Sequence, residues 1–245
     1  APDYVSIQNE PEVIVDYISN HFNPSEDQAY GDGTYGAAAA ASYGKAQDAV
    51  YQAFRALPSP PRLLGPEVDG TAHAKVEDFL AYAKLDQLYA IAHHLYDTAD
   101  PDDPDSFNPT LQGVADAFPG KLKFQTEWFS NDPPMVEAKA IHDVLVTEGS
   151  SAYIKWSLAN SGMVASAIYD DDATQPASTW KYPHGWHIND NYYVMKHYSY
   201  FVRPGFKRID AYTNQADLRL SAYVDPSPRH PLAPRATLVV LNTSA

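Results

Sequence analysis

Two glutamates, Glu10 and Glu127, stand where this chain can do acid–base and nucleophilic chemistry. Glu10 follows Tyr4-Val5-Ser6-Ile7-Gln8-Asn9, whose alternation of bulky and polar residues suits a strand, and Pro11 denies that strand a further backbone donor. Val5 and Ile7 fall on one face, while Ser6, Gln8 and Glu10 fall on the other, the side that would face a barrel axis. Glu127 ends the segment Lys121-Leu122-Lys123-Phe124-Gln125-Thr126 in the same way. Either carboxylate alone reads as a solvated residue at a strand end. Two of them converging across a barrel mouth, about 5 Å apart, can divide the cleavage of a glycosidic bond: one protonates the leaving oxygen and the other attacks the oxocarbenium-like carbon, with retention. A negative Glu127 is expected to raise the proton affinity of Glu10 by repulsion. Covalent capture of the sugar would then remove that charge and free Glu10 to act as a base towards water.

The elements that must present these groups alternate along the chain. After a polar, Gly-containing passage over 20–36, Ala46, Val50, Ala53, Phe54 and Leu57 recur at helical spacing and predict a helix over about 36–57, ended by Pro58, Pro60 and Pro61. Arg62 to Glu67 reads as a short buried strand with another carboxylate at its end. Val76, Phe79, Leu80 and Ala83 mark a second helix from about 71. Leu88 to Tyr96 is the next strand, with Ala90, Ala92, His94 and Tyr96 on one face and His93, of opposite parity, assigned to packing. A helix near 111–118 precedes the strand to Glu127. Asn131-Asp132-Pro133-Pro134 is a helix start with a capping Asp, Gly149 ends that helix, and Ala152 to Leu158 is a strand carrying Trp156.

A long excursion to about 189 then holds Asp170 to Asp172, Trp180, Tyr182, His184, Trp186 and His187, an aromatic wall for a cleft. A helix over about 190–202 and strands near 206–213, 217–224 and 235–242 complete the chain. Five βα units and a β tail leave two architectures, an open α/β sheet or the later part of an eight-unit barrel, and the carboxylates at the strand exits favour the barrel. The expected organisation is a partial (β/α)8 TIM barrel over 1–205 and the start of a side β-sandwich domain over 206–245.

Composition narrows the chemistry further. The chain has 245 residues, 44% of them hydrophobic, enough for one large domain or two small ones. With 17 Lys+Arg against 31 Asp+Glu the formal charge is −14, which argues against nucleic acid or an anionic membrane surface as partner. No cysteine is present, so disulfides, Cys-based zinc sites and thiol catalysis are excluded. No apolar run approaches the roughly 20 residues of a membrane span. The Asp-rich stretch 97–106 lacks the Gly-containing spacing of a calcium loop, so neither metal nor cofactor is expected.

Asn9-Glu10-Pro11, His94-Leu95-Tyr96, Thr126-Glu127 and Trp156, all at strand exits, resemble the second half of a clan A retaining glycoside hydrolase. More narrowly, VSIQNEP, AHHLY, FQTEWF and YSYFVRPGFKRID (198–210) resemble glycoside hydrolase family 30, especially its xylanase-like branch. The resemblance implies that Glu10 is the general acid/base, that Asn9 hydrogen-bonds the sugar 2-hydroxyl and that Glu127 is the nucleophile. It implies further that His94 and Tyr96 flank the nucleophile, and that Trp156 is the platform under the reacting sugar. Trp186 is expected to hold sugars beside it.

The resemblance runs from the family's fourth barrel strand into its side domain. The chain is therefore expected to be an internal piece of a longer protein, preceded by three more βα units and not competent for catalysis alone. One departure stands out: Leu158-Ala159-Asn160-Ser161 occupies the place where glucuronoxylan-specific members carry an Arg, so dependence on a glucuronate side group is not expected. The implied activity is an endo-β-1,4-xylanase acting by a two-glutamate double displacement, secreted and monomeric, with a β-glycan polysaccharide as partner. The alternatives are a β-1,6-glucanase, a β-glucosidase acting on glycolipid, or a carbohydrate-binding protein without turnover. Asn242-Thr243-Ser244 fits a glycosylation acceptor in a eukaryotic secretory setting.

Overall fold

The computed structural model describes residues 2–13, 37–96, 100, 103–129, 133–158, 164–166, 186–226 and 236–244. Five strands pair in the order in which they occur in the chain, and every pairing is parallel: β1 (Tyr4–Ser6), β2 (Arg62–Val68), β3 (Leu88–His94), β4 (Leu122–Glu127) and β5 (Ala152–Tyr153). Between them run α1 (Ala37–Arg55), α2 (Lys75–Leu80), α3 (Asn108–Ala117) and α4 (Pro134–Asp143), the last continued by a wider π turn over Val144–Glu148. Parallel strands in sequence order, each joined to the next by a helical crossover, are consecutive βα units of a (β/α) barrel.

The described residues form two compact units. The first comprises 1–101, 106–128 and 147–154 and holds the parallel sheet; the second comprises 102–105, 129–146 and 155–245. The second unit contains α4, α5 (Asp190–Ser199), a two-stranded antiparallel ribbon of β6 (Val164–Ser166) with β7 (Trp186–Ile188), and an antiparallel sheet of β8 (Lys207–Ile209), β9 (Leu218–Val224) and β10 (Ala236–Asn242).

In the first unit the central strands β2 and β3 are buried on both faces, as expected of a parallel sheet. Leu63, Val68, Leu88 and Ile91 pack with Tyr43 of α1, Val76, Phe79 and Leu80 of α2, and Val114 of α3. Leu64, Ala90 and Ala92 lie together in a second cluster, against which Tyr89 and Phe124 pack. Within the second unit Arg219 of β9 reaches both Asp105 and Asp143, the latter at 3.2 Å, and Lys155 pairs with Glu137 at 2.5 Å.

Several predicted elements survive with shorter ends, while the strand expected to end at Glu67 runs to Val68 and the helix expected near 111 begins at Asn108. The first strand stops at Ser6, because Ile7 to Asn9 leave the ladder and the chain rejoins β2 only where the Glu10 N–H donates to the Glu67 carbonyl at 2.9 Å. The strand expected to reach Leu158 is two residues long, its last tie to β4 being the Ile154 N–H to the Gln125 carbonyl at 3.0 Å. The helix expected over 190–202 ends at Ser199. The passage 20–36, the capping Asp132 and the stretch Asp170 to His184 lie outside the described residues.

Two register slips occur at the ends of the central strands. Glu67 has no partner in β3, since Pro66 pairs with Ala92 and Val68 with His93; Thr126 has none either, since Gln125 pairs with His93 and Glu127 with His94. Such one-residue bulges re-aim side chains next to functional sites.

Close approach of α1 to the turn after α2 depends on Gly44. A Cβ there would fall 2.1 Å from the Tyr82 carbonyl oxygen, a backbone atom that cannot rotate away. Alanine would gain about 1 kcal/mol in helix propensity, but relieving that clash costs more. Gly44→Ala is therefore expected to lower the free energy of unfolding by about 1 to 2 kcal/mol in a urea titration. A gain in stability would mean that α1 can move outward freely.

Candidate active site

Four side chains converge at the strand exits of the first unit. Glu10 follows β1 in a left-handed backbone conformation, φ 43°, which turns its side chain back over the sheet. His94 is the last residue of β3, buried, and its Nδ1 lies 3.0 Å from Glu10 Oε1. The same Nδ1 is 4.0 Å from Oε1 of Glu127, the last residue of β4. Tyr96, two residues past His94, donates its hydroxyl to Glu127 Oε1 at 3.1 Å and stands edge-on to the His94 ring.

A third carboxylate closes the arrangement from behind. Glu67 Oε2 is 3.4 Å from His94 Nε2, and the Thr126 hydroxyl donates to the same oxygen. Both nitrogens of His94 thus face carboxyl oxygens, a setting that favours a proton on each and hence an imidazolium. Burial by itself would lower the basicity of this ring. The hydrogen bonds to Glu10 and Glu67 and the charges of Glu127 and Glu67 outweigh burial and lift its pKa to about 9. At Glu127 the balance runs the other way: burial raises its proton affinity first, the cationic His94 and the Tyr96 donor oppose this, and repulsion from Glu10 and Glu67 adds to the rise.

His93 does more than pack. Its Nε2 meets Glu148 Oε1 at 2.6 Å and its Nδ1 meets the His94 carbonyl at 2.9 Å, both inside the core, while Ser150 donates to the other Glu148 oxygen at 2.6 Å. The Glu148 charge and these hydrogen bonds overcome burial and hold His93 above its ordinary basicity. The buried pair thereby ties down the backbone of the residue that carries the site's own imidazole. On the other side, buried Glu12 accepts the Asp69 N–H at 2.8 Å, and burial followed by the Asp69 charge pushes its carboxyl up to about 8, leaving it neutral at pH 7.

The first unit therefore brings together Glu10, Glu127, His94 and Tyr96, with Asn9 exposed beside Glu10. Trp156 belongs to the second unit, where it is exposed and its peptide bond to Ser157 is cis; Trp186 opens β7 there, and its side chain lies outside the described residues. Sequence reasoning left Glu67 and Thr126 out of the site. Glu67 carried a signal, a carboxylate ending a strand just as Glu10 and Glu127 do, but nothing announced the bulge that turns it inward.

One ligand atom each from Glu10, His94 and Glu127 lies within 4.8 Å of the others, near enough for a single cation. That place is filled chemically by the imidazolium, which would have to lose a proton before Nδ1 could bind an ion.

No protein-family model and no curated protein matches the sequence. Among solved structures, a conserved exported protein from Bacteroides fragilis aligns with TM-score 0.67 at 16% identity, over 99% of this chain and 55% of that one. The catalytic domain of GH30 xylanase C from Talaromyces cellulolyticus aligns with TM-score 0.61, also at 16% identity, over 90% of this chain and 46% of that one. The chain thus spans about half the length of each structure and shares their fold over that part.

The raised basicity of His94 has a thermodynamic signature. The folded ring holds its proton up to about 9, whereas in the unfolded chain it titrates near 6.5, so its contribution to stability is complete below 6.5 and fades as the pH rises to about 9. The urea midpoint is expected to fall across that window, with His93 acting in the same direction, and His94→Gln should flatten the curve. An equal slope in wild type and variant would mean that His94 is neutral in the folded protein.

Proposed function

We propose that this protein is a retaining glycoside hydrolase acting on a β-linked polysaccharide, with β-1,4-xylan as the substrate to test first. The observation that carries the reading is the pair of carboxylates, with one oxygen of Glu10 and one of Glu127 within 4.8 Å, bridged by His94 and with Tyr96 on Glu127. Retaining enzymes hold their two carboxyls about 5 to 5.5 Å apart, whereas inverting enzymes need a water's width more. A GH30 xylanase among the structures that share the fold supports the choice of xylan.

In the reaction, the Glu127 carboxylate attacks the anomeric carbon as the bond to the leaving oxygen breaks, and the Glu10 proton passes to that oxygen. Water then gives a proton to Glu10, its oxygen attacks the same carbon, and the bond to Glu127 is released. Negative charge moves from Glu127 to Glu10 in the first half and back in the second. The imidazolium is nearer to Glu10, at 3.0 Å against 4.0 Å, so it favours the charge distribution reached as the proton leaves. Tyr96 holds Glu127 in line for attack. Asn9 would meet the sugar 2-hydroxyl, and Trp156 and Trp186 would supply the stacking faces. A polymer as substrate entails export of the enzyme.

Glu127→Ala is expected to lower hydrolysis of β-xylan at least about 10³-fold, and azide should restore turnover while yielding an inverted glycosyl azide. Undiminished hydrolysis by that variant would remove Glu127 from the mechanism. A screen of xylan, a β-1,6-glucan and aryl β-glycosides fixes the linkage. Because Glu127 has to be ionised to attack and its proton affinity is raised, activity is expected to fail on acidification at a pH above 4.5, the ordinary glutamate value. A kcat/KM profile flat down to that value would contradict the burial argument.

A further inference from the structure

Glu67 is the carboxylate that the proposed reaction leaves without a task, and its surroundings are unlike those of an idle residue. It is the unpaired residue of the β2 bulge, held at φ 65°, a conformation that costs a non-glycine residue energy. Its side chain is 7% exposed, so a charge here must be compensated locally. Two side-chain contacts do so, a backbone contact stands beside them, and each of the three leads to a different member of the site. Its backbone carbonyl accepts the Glu10 N–H at 2.9 Å. Its Oε2 faces His94 Nε2 at 3.4 Å. The same oxygen accepts the hydroxyl of Thr126, the bulged residue that immediately precedes Glu127. That hydroxyl also lies 3.2 Å from the His93 carbonyl but has only one proton, and the carboxylate is the stronger acceptor. Two bulges on neighbouring sides of β3 are thus latched to each other directly behind the imidazole.

We propose that Glu67 is the positioning carboxylate of the site: through Nε2 of His94 it holds the ring so that Nδ1–H points at Glu10 and Glu127 throughout the reaction. This inference rests on the glycosidase reading for its catalytic consequence, but its structural part stands on the contacts alone. The need for such a residue follows from the charge movements. Both Glu10 and Glu127 change charge during each turnover, so neither can anchor His94 in every state. Glu67 forms no bond to sugar and exchanges no proton with water, so its charge stays constant while theirs alternates. Without it, the ring is free to rotate or to surrender its proton to Glu10 once Glu10 becomes a carboxylate. The groups facing His94 are Glu10 from the end of β1, Glu67 from β2, Glu127 from β4 and Tyr96 from the segment after β3; His93 points the other way, to Glu148.

The test is Glu67→Gln, which keeps shape and one acceptor oxygen but removes the charge, with Glu67→Asp and Thr126→Val beside it. Two readouts are needed. In an NMR titration of the His94 ring, Glu67→Gln is expected to lower the midpoint by about one pH unit or more, Glu67→Asp to restore part of it, and Thr126→Val to give a smaller shift of the same sign. In hydrolysis of an aryl β-xyloside, Glu67→Gln is expected to lower kcat at least about tenfold with little change in KM, and to move the alkaline limit of activity downwards. An unchanged ring titration in cooperatively folded Glu67→Gln overturns the proposal. So does an unchanged pH profile in an active enzyme. Should wild type hydrolyse no β-glycoside while the ring titration shifts as expected, the positioning role stands and the glycosidase reading falls. If Glu67→Gln does not fold, Thr126→Val decides the matter, because it loosens Glu67 without removing a charge.

Discussion

A buried imidazolium held among three carboxylates is the interaction on which the first unit's strand exits depend. His94 is almost wholly removed from water, and a lone cation so placed would lose its proton. It keeps the proton because Glu10, Glu67 and Glu127 arrive from three different strands and meet its two nitrogens. The converse holds as well: three carboxylates this close would repel one another, and the shared cation makes their convergence tolerable. Removing the imidazolium would leave the carboxylates to repel one another uncompensated, which is why such clusters are sensitive to its loss.

The backbone is shaped to meet this requirement. Straight parallel strands alternate their side chains between the two sheet faces, so only residues of the right register can reach one point on one face. Bulges at Glu67 and Thr126, each one residue before its strand ends, and left-handed conformations at Glu67 and at Glu10, beyond β1, break the alternation where the chain leaves the sheet. These local costs are offset by the core packed beneath, where Leu63, Ile91 and Phe79 lie among other fully enclosed side chains, and by the buried His93–Glu148 pair that fixes the chain at β3. Rigid strands with irregular ends suit a site that must hold charged groups to a fraction of an ångström.

Ionic pairs also organise the second unit, at a different kind of place. Arg219 bridges Asp105 and Asp143, and both acids neutralise a guanidinium that burial alone would discourage; its hydrogen bond to Asp105 comes first among the causes that raise its basicity. Lys155 and Glu137 are both buried and bonded to each other, two opposite charges satisfied in one contact. Here Arg219 serves two acids, and Asp105 also faces Lys139 at 3.9 Å, so acids and bases stand close to balance. In the first unit three carboxyl groups face one imidazolium, which cannot neutralise all three at once, and that imbalance favours a proton on one of them.

Much of the arrangement was legible from the amino-acid order. Alternation at Tyr4 to Gln8 and at Leu88 to His94, helical spacing from Ala46 to Phe54, and prolines and glycines at the joints determined the βα succession, because periodicity reports which side of an element is buried. The same parity placed Ala90, Ala92 and His94 on one face, and the carboxylates closing their strands marked Glu10 and Glu127. Three things lay beyond it. Strand lengths depend on which backbone groups find partners across the sheet, so the early exits after Ser6 and Tyr153 follow from pairing with β2 and β4. The task of His93 depends on Glu148, a contact across 55 positions of sequence. Above all, the inward turn of Glu67 is a product of two register slips, and register is a relation between strands that no single strand's sequence contains. The amino-acid order by itself determined which residue types end the strands; the tertiary structure decided that three of those carboxylates share one proton-bearing ring.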